Sequence, residues 1–311
     1  MDEYTHNPVL LKEILQLLEP KDGMIFFDGT VGAGGHASAL LQKISPSGRL
    51  YGCDRDGDEL QRTSLKLSRQ FGSLCQLKQG NYSDVDQLFS GVELDGALLD
   101  LGCSSMQFDR IERGFSFQGD APLDMRMDRT QELTAEYVVN EYSADELADL
   151  FFYYGGVRES RRLARAIEEE RMLRRFVSTK QLASFIESKL PRAGKKIHPA
   201  TRIFQAIRIE VNQEFEHLRS ALDKLIPMLK TGARLAVITF HSGEDKIVKD
   251  FGRTLARDYV VEGEVDIPEF RKERAPLLKI LTRKPIEPTE EEIKQNPRSR
   301  SARLRVFEKA G

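Results

Sequence analysis

Tryptophan is absent from this 311-residue chain, and cysteine and histidine are scarce, at three and five residues. Cys53, Cys75 and Cys103 are odd in number and form no C-x-x-C or Cys/His cluster. That argues against a disulfide framework or a zinc site and for reduced thiols, with no metal expected. No apolar run approaches the roughly 18 residues of a membrane span, and the N-terminus lacks the charged-then-apolar layout of a signal peptide. A cytoplasmic protein with no membrane partner is therefore expected. The net charge of −2 excludes a global cationic field, so any nucleic-acid contact must come from local basic patches. Internal repeats and low-complexity segments are also lacking. With 40% hydrophobic and 31% charged residues, the chain reads as globular, with length for about two domains.

The most informative stretch is Met24 to His36, an apolar run that ends on Asp28 and breaks into a glycine loop. Ile25, Phe26 and Phe27 have the character of a buried strand. Gly32, Gly34 and Gly35 let backbone N–H groups approach a ligand, and the helix-forming residues after His36 place the loop at a helix N-terminus. The glycines also satisfy the dinucleotide pattern G-x-G-x-x-G/A, and a tight strand-to-helix turn without a ligand would look the same. A second strand, Leu50 to Asp54, ends on an acid about 20 residues further on, where a carboxylate could accept both ribose hydroxyls. That fits either NAD or S-adenosylmethionine. Asp28 tilts the choice to the latter, because a loop carrying a pyrophosphate would not favour a carboxylate beside it.

Further along, Asn7 and Pro8 read as the N-cap and first position of an amphipathic helix over Val9 to Leu18. Asp58 to Arg69 is helical, and strands follow at Leu74 to Lys78 and Leu94 to Asp100. Strands alternating with helices predict a parallel, doubly wound α/β sheet. The next buried strand is Arg234 to Phe240, and a crossover helix within Ala200 to Leu229 takes only part of the interval. Roughly 100 residues remain, the size of a small domain. Helical periodicity at Ala144 to Tyr153, Glu159 to Phe176 and Thr179 to Leu190 makes residues 109–200 a helical insertion, with 1–108 and 201–311 forming one discontinuous domain.

Two basic clusters stand out. Arg158, Arg161, Arg162, Arg165, Arg171, Arg174 and Arg175 crowd one helical stretch of the insertion, followed by Lys195, Lys196 and Arg202, though Glu159 and Glu168 to Glu170 would offset part of a solvated face. Arg298, Arg300, Arg303 and Arg305, with no acid between them, are the better phosphate-binding candidates, with alternate residues sharing a face if the segment is extended. The strand-end acids Asp28, Asp54 and Asp100 would converge on one crevice, since ligands of open α/β sheets bind at the carboxyl ends of strands. Phe240 to Asp245 points to the same region, although Ser242-x-x-Asp245 is also a helix-capping pattern.

These pieces resemble the MraW (RsmH) family. They are H-N-P-V-L-L, D-G-T-V-G-A-G-G-H, D-R-D, D-L-G-C-S-S-M-Q-F-D, R-G-F-S-F, P-L-D-M-R-M-D, H-P-A-T-R-I-F-Q-A-I-R-I-E-V-N, F-H-S-G-E-D and N-P-R-S-R-S-A-R-L-R, spread over essentially the whole chain. The resemblance implies a class I (Rossmann-like) methyltransferase domain with a helical insertion for substrate recognition. It also implies methyl transfer from S-adenosylmethionine to N4 of a cytosine in the decoding region of 16S ribosomal RNA in the small subunit. It carries cofactor contacts onto Gly34, Gly35, His36, Asp54, Tyr82, Asp100 and Gln107, with no metal. Tyr82 stands where Phe is common, Cys103-Ser-Ser-Met106 replaces V-S-S-P, Gly243 replaces Leu, and Tyr154-Gly-Gly-Val157 replaces a Y-G-E-E type sequence. Asp100 is the catalytic candidate, and Phe115, Phe117 or Phe240 would stack on an unpaired or flipped base. Two alternatives stay open: methylation at cytosine C5, with Cys103 as nucleophile, and a noncatalytic factor that only binds the ribosomal subunit. Either a monomer or a homodimer fits the sequence.

Overall fold

The computed structural model describes residues 8–190, 198–263 and 265–311; Asn7, Lys195 and Lys196 lie outside them. The chain folds as two compact units, one formed by Met1–Gly102 with Glu216–Gly311 and the other by Cys103–Phe215. The first unit opens with α1 (Leu11–Leu18), β1 (Ile25–Asp28), α2 (Gly35–Ile44), β2 (Arg49–Asp54), α3 (Gly57–Phe71), β3 (Cys75–Gln79), α4 (Val85–Leu88) and β4 (Leu94–Asp100). Among the described residues, the second holds six helices, α5 (Ser105–Asp109), α6 (Ala135–Glu141), α7 (Ala144–Tyr153), α8 (Ser160–Leu173), α9 (Thr179–Lys189) and α10 (Pro199–Asn212). The unit boundary falls in the first turn of α11 (Glu214–Met228), and the first unit resumes with β5 (Leu229–Thr239), α12 (Ser242–Leu255), β6 (Tyr259–Val261), β7 (Arg271–Glu273), β8 (Leu278–Ile280), α13 (Glu290–Gln295) and β9 (Arg303–Lys309).

Seven strands form one sheet in the order β3-β2-β1-β4-β5-β9-β8. The first five pair in parallel, and β9 and β8 add antiparallel at one edge. Side chains alternate faces along each strand, as a period of two requires. Phe27, Ala97, Leu99, Leu235 and Val237 pack with α11 on one side, while Phe26, Leu98, Ala236 and Ile238 pack with α1 and α2 on the other. This is the doubly wound α/β sheet that the alternation of strands and helices predicts. The chain runs outward from β1 to β3 and then restarts at β4 on the other side of β1, so the strand order reverses between β1 and β4. Such a switch point leaves a crevice beyond the carboxyl ends of the flanking strands.

Three local expectations change. The first helix begins at Leu11, with Leu10 in a left-handed conformation and its N–H donated to the Glu292 carboxylate at 2.7 Å, so Pro8 is not its first residue. His241, not Ser242, caps α12: its ring accepts from the Glu244 N–H. The second unit also extends beyond 109–200, because Ile203, Phe204, Ile207 and Val211 of α10 are buried with the insertion helices. The crossover back to the sheet is α11 alone.

The second unit is tied by polar brackets as well as by its apolar core. Asn212 donates to the Met125 carbonyl and accepts from the Met127 N–H, both at 2.8 Å, which fixes a turn in which Met125 takes a positive φ of 59°. Arg126 grips Asp124 through two bonds of 2.8 and 2.9 Å, and the buried Arg113 donates to the carbonyls of Arg126 and Met127. The P-L-D-M-R-M-D motif is thus a self-locking turn, held from α10 by the last residue of the H-P-A-T-R-I-F-Q-A-I-R-I-E-V-N motif.

The C-terminal arginines divide between two conformations. Pro297–Ser301 is a 3-10 helix that carries Arg298 and Arg300, whereas Arg303 and Arg305 lie on β9. Arg305 is buried and paired with Asp245 of α12 through bonds of 2.7 and 3.2 Å, and Arg303 approaches Asp245 at 3.5 Å and Glu287 at 3.5 Å. Arg305 is therefore a structural cation and not a phosphate ligand. Removing one member of a buried pair strands the other, so Asp245→Ala should cost about 3–5 kcal/mol in urea unfolding. The double replacement Asp245→Leu with Arg305→Met should cost clearly less; equal losses would mean that the pair contributes through shape and not charge.

Candidate active site

The loop after β1 is shaped by its neighbours before any ligand is considered. Gly34 has a φ of 79°, and a Cβ there would stand 2.7 Å from the Thr63 methyl of α3. Only glycine combines that left-handed backbone with so close an approach. The Thr63 hydroxyl donates to the Gly32 carbonyl at 2.6 Å and holds the loop against α3.

Thr30, which the sequence reading did not single out, joins two strand ends. Its N–H and hydroxyl donate to Asp28 Oδ1 at 3.0 and 3.4 Å, and its hydroxyl accepts the Asp100 N–H at 2.7 Å. The signal was an Asx turn: a carboxylate two residues before a small hydroxyl residue closes on that residue's backbone. Asp54, at the end of β2, accepts the Gly32 N–H at 2.8 Å on one oxygen and the Asp56 N–H at 2.9 Å on the other. Each oxygen keeps a further lone pair, so both can still accept a hydroxyl.

His36, in the first turn of α2, donates from Nε2 to the Val9 carbonyl at 2.9 Å. That bond fixes the tautomer and turns Nδ1 toward Asp100 Oδ2 at 3.5 Å. Tyr82, in a short 3-10 turn after β3, abuts the same loop: a Cβ on Gly29 would lie 2.9 Å from its Cβ. Gly34, Gly35, His36, Asp54, Tyr82 and Asp100 all belong to the first unit, on the loops and termini that follow its parallel strands. Gln107 belongs to the second unit, where its side chain is buried and its amide completes a capping box with Ser104 at the start of α5.

Two of the acids at these strand ends bury an oxygen that no donor meets. Asp28 is 1% exposed and its Oδ2 has no hydrogen-bond partner; the same holds for Oδ1 of Asp100. Among the described residues, no lysine or arginine is bonded to either. Burial pushes the Asp28 carboxyl up to about 7, opposed by its bonds from Thr30 and reinforced by the charge of Asp54. Burial likewise pushes Asp100 well above the usual carboxylate range, with Asp28 and Glu244 adding repulsion, and it raises Asp54 against the bonds from Asp56 and Gly32. Three acids with raised pKa values around a glycine loop form a site that favours a cation and would repel a pyrophosphate.

The aromatic candidates separate by unit. Phe115 is buried edge-on to Phe108, and Phe117 lies between His198 and Phe204, so both serve the core of the second unit. Phe240 is partly buried in the first unit, beyond β5, and its ring lies 3.5 Å from where a Gly102 Cβ would be. Cys103 is a half-buried packing residue against the second unit's core. Glu244, also missed in the sequence, is buried and accepts the Phe240 N–H at 2.8 Å, which pins this strand end.

The raised Asp28 pKa has a stability consequence. The folded state retains this proton between the ordinary value of 3.8 and about 7, so stability falls as pH rises through that window and levels off above it. Asp28→Asn removes the titration, and relative to wild type it should gain on the order of 1–4 kcal/mol at about pH 8 but little at about pH 4. Urea denaturation at the two pH values checks this; a difference that does not change with pH would show that the Asp28 charge is not penalised by burial.

Compared with known proteins, residues 3–310 match the MraW methylase family. A protein of Syntrophotalea carbinolica named Ribosomal RNA small subunit methyltransferase H is 44% identical over 309 residues, covering 98% of this chain and 98% of that one. One of the same name from Dehalococcoides mccartyi is 45% identical over 312 residues, covering 99% and 88%. Among solved structures, an rRNA methylase from Streptococcus thermophilus aligns with a TM-score of 0.43 at 11% identity, over 97% of this chain and 94% of that one.

Proposed function

The chain belongs to the MraW methylase family, and from that premise we propose that it methylates N4 of a cytosine in the decoding region of 16S ribosomal RNA, using S-adenosylmethionine. Relatives that match it nearly end to end are named for the small-subunit ribosomal RNA. The observation that carries the cofactor assignment is the set of uncompensated strand-end acids. Asp28 and Asp100 each keep an oxygen from water without a donor, an arrangement stabilised by bringing in a cation. A sulfonium and an ammonium meet that need. The second unit is assigned to substrate recognition, the RNA to the cytoplasm, and no membrane to the reaction; among the described residues no helix is long and apolar enough to cross one.

When bound, S-adenosylmethionine supplies an electrophilic methyl group. Gly34 and Gly35 would admit the cofactor at the start of α2, Asp54 would accept its ribose hydroxyls and Tyr82 would lie against its adenine; Gln107 is carried over from the family resemblance alone. The exocyclic amine of cytosine is a weak nucleophile because its lone pair is delocalised into the ring, so the enzyme must orient it and accept a proton as the nitrogen becomes tetrahedral. We assign that role to Asp100. Its backbone N–H donates to the Thr30 hydroxyl, which fixes this strand end at the crevice. Phe240 provides the aromatic surface for the extruded base. No covalent step is needed, which agrees with Cys103 serving as packing.

Asp54→Ala should weaken S-adenosylmethionine binding by about 1.5–3 kcal/mol for each charged hydrogen bond lost, as read by titration calorimetry. Unchanged affinity in a folded variant would reject the ribose assignment. The reaction itself is tested with labelled methyl groups on small ribosomal subunits, followed by identification of the product nucleoside. N4-methylcytidine is expected, with turnover of Cys103→Ala within a few-fold of wild type. A C5-methyl product that vanishes in Cys103→Ala would replace the N4 reading, and no transfer by the wild type would favour a binding factor.

A further inference from the structure

The basic stretch of the second unit resolves into two groups once its partners are traced. Arg171 donates to the carbonyls of Val139 and Tyr142, and Arg175 pairs with Glu141. These two hold α6 to α8 and to the segment that follows it. Arg162 donates to the Lys189 carbonyl at the end of α9. Arg158, Arg161 and Arg165 are exposed, and no hydrogen bond or ion pair engages them among the described residues.

Their placement runs against helix stability. Arg161 lies in the first turn of α8, which carries no acid beyond the N-cap Glu159, at the positive end of the helix dipole, while Arg158 stands just before that cap. Helices α3, α7, α12 and α13 carry acids in that turn, whereas α2, α9 and α10, like α8, do not. Arg161 and Arg165 are one turn apart on the face opposite the buried Leu163, Ala164 and Ile167. With Arg162, Ala166, Glu169 and Lys189 they line a concavity of about 600 Å³ beside the end of α9. Arginine side chains one turn apart stand about 5–6 Å from each other at Cβ and present planar forks that bind phosphate oxygens in pairs.

We propose that this face of α8, with Arg158, Arg161 and Arg165 as its free cations, is a phosphate-binding surface that grips the backbone of the substrate ribosomal RNA. It deepens the RNA-methylation reading and rests on it. The face selects by charge and backbone spacing, not by base, because no asparagine or glutamine is among the residues that line the concavity. Glu169, one turn beyond Arg165, sets its edge by repelling phosphate.

The test is a salt titration of binding by the full-length protein, using small ribosomal subunits and deproteinised small-subunit RNA as probes. Three phosphate contacts contribute about 2 to the log–log salt slope on single-stranded RNA. The triple variant R158Q/R161Q/R165Q should lose that amount on both probes and raise KM for subunits, while kcat at saturation and S-adenosylmethionine affinity stay unchanged. Glu169→Gln should shift binding in the opposite direction, and its expected gain keeps the test decisive if the triple variant is unstable. An unchanged slope in the triple variant and no gain in Glu169→Gln overturn the proposal. So does a loss confined to intact subunits, which would assign the face to an acidic protein surface. Failure of the wild type to methylate either probe would instead strike the underlying reading.

Discussion

Three parallel strands of one sheet end on carboxylates, and the rest of the first unit is arranged around holding them where water does not neutralise them. Asp28 and Asp100 sit on neighbouring strands at the switch point, tied to each other through the hydroxyl of Thr30. Asp54 on the other side of β1 is fixed by two backbone N–H groups. Burial raises the pKa values of Asp28 and Asp100, and the neighbouring like charges add to the effect. Such an arrangement is costly in isolation and becomes favourable when a cation is delivered.

Elsewhere the chain treats buried charge differently. Arg305 is matched to Asp245, Arg126 to Asp124, and Arg208 to Glu214 with two bonds of 2.8 Å. Each guanidinium meets a carboxylate in a geometry that satisfies both. Against that background, Asp28 and Asp100 each bury an oxygen without a hydrogen-bond partner at the strand ends, the place where an open α/β sheet binds ligands. Local strain at a functional site is offset by well-satisfied pairs in the frame around it.

The sheet and the glycine loop were legible because their signals are local: alternating apolar residues, a closing acid and glycines in sequence. The family resemblance supplied Tyr82 and Gln107, which no local pattern indicates. Arg305 was misread for the opposite reason. Arg305 meets Asp245 only because β9 returns antiparallel beside β5 while α12 packs over that edge, and nothing within ten residues of Arg305 announces this. Likewise α10 has an amphipathic pattern that fits either unit, and only the burial of Ile203, Phe204 and Ile207 assigns it to the second. The bond from the Asp100 N–H to the Thr30 hydroxyl joins segments far apart in sequence, so that role of Thr30 emerged with the fold.

The central claim is that the strand-end acids hold protons until a cation arrives. Calorimetric titration of S-adenosylmethionine at about pH 6.5, where a carboxyl of pKa about 7 is mostly protonated, measures this directly when repeated in buffers of different ionisation enthalpy. The account predicts net proton release on binding by the wild type and a smaller release by Asp28→Asn. Binding that releases no protons, or releases the same number in both proteins, would contradict it.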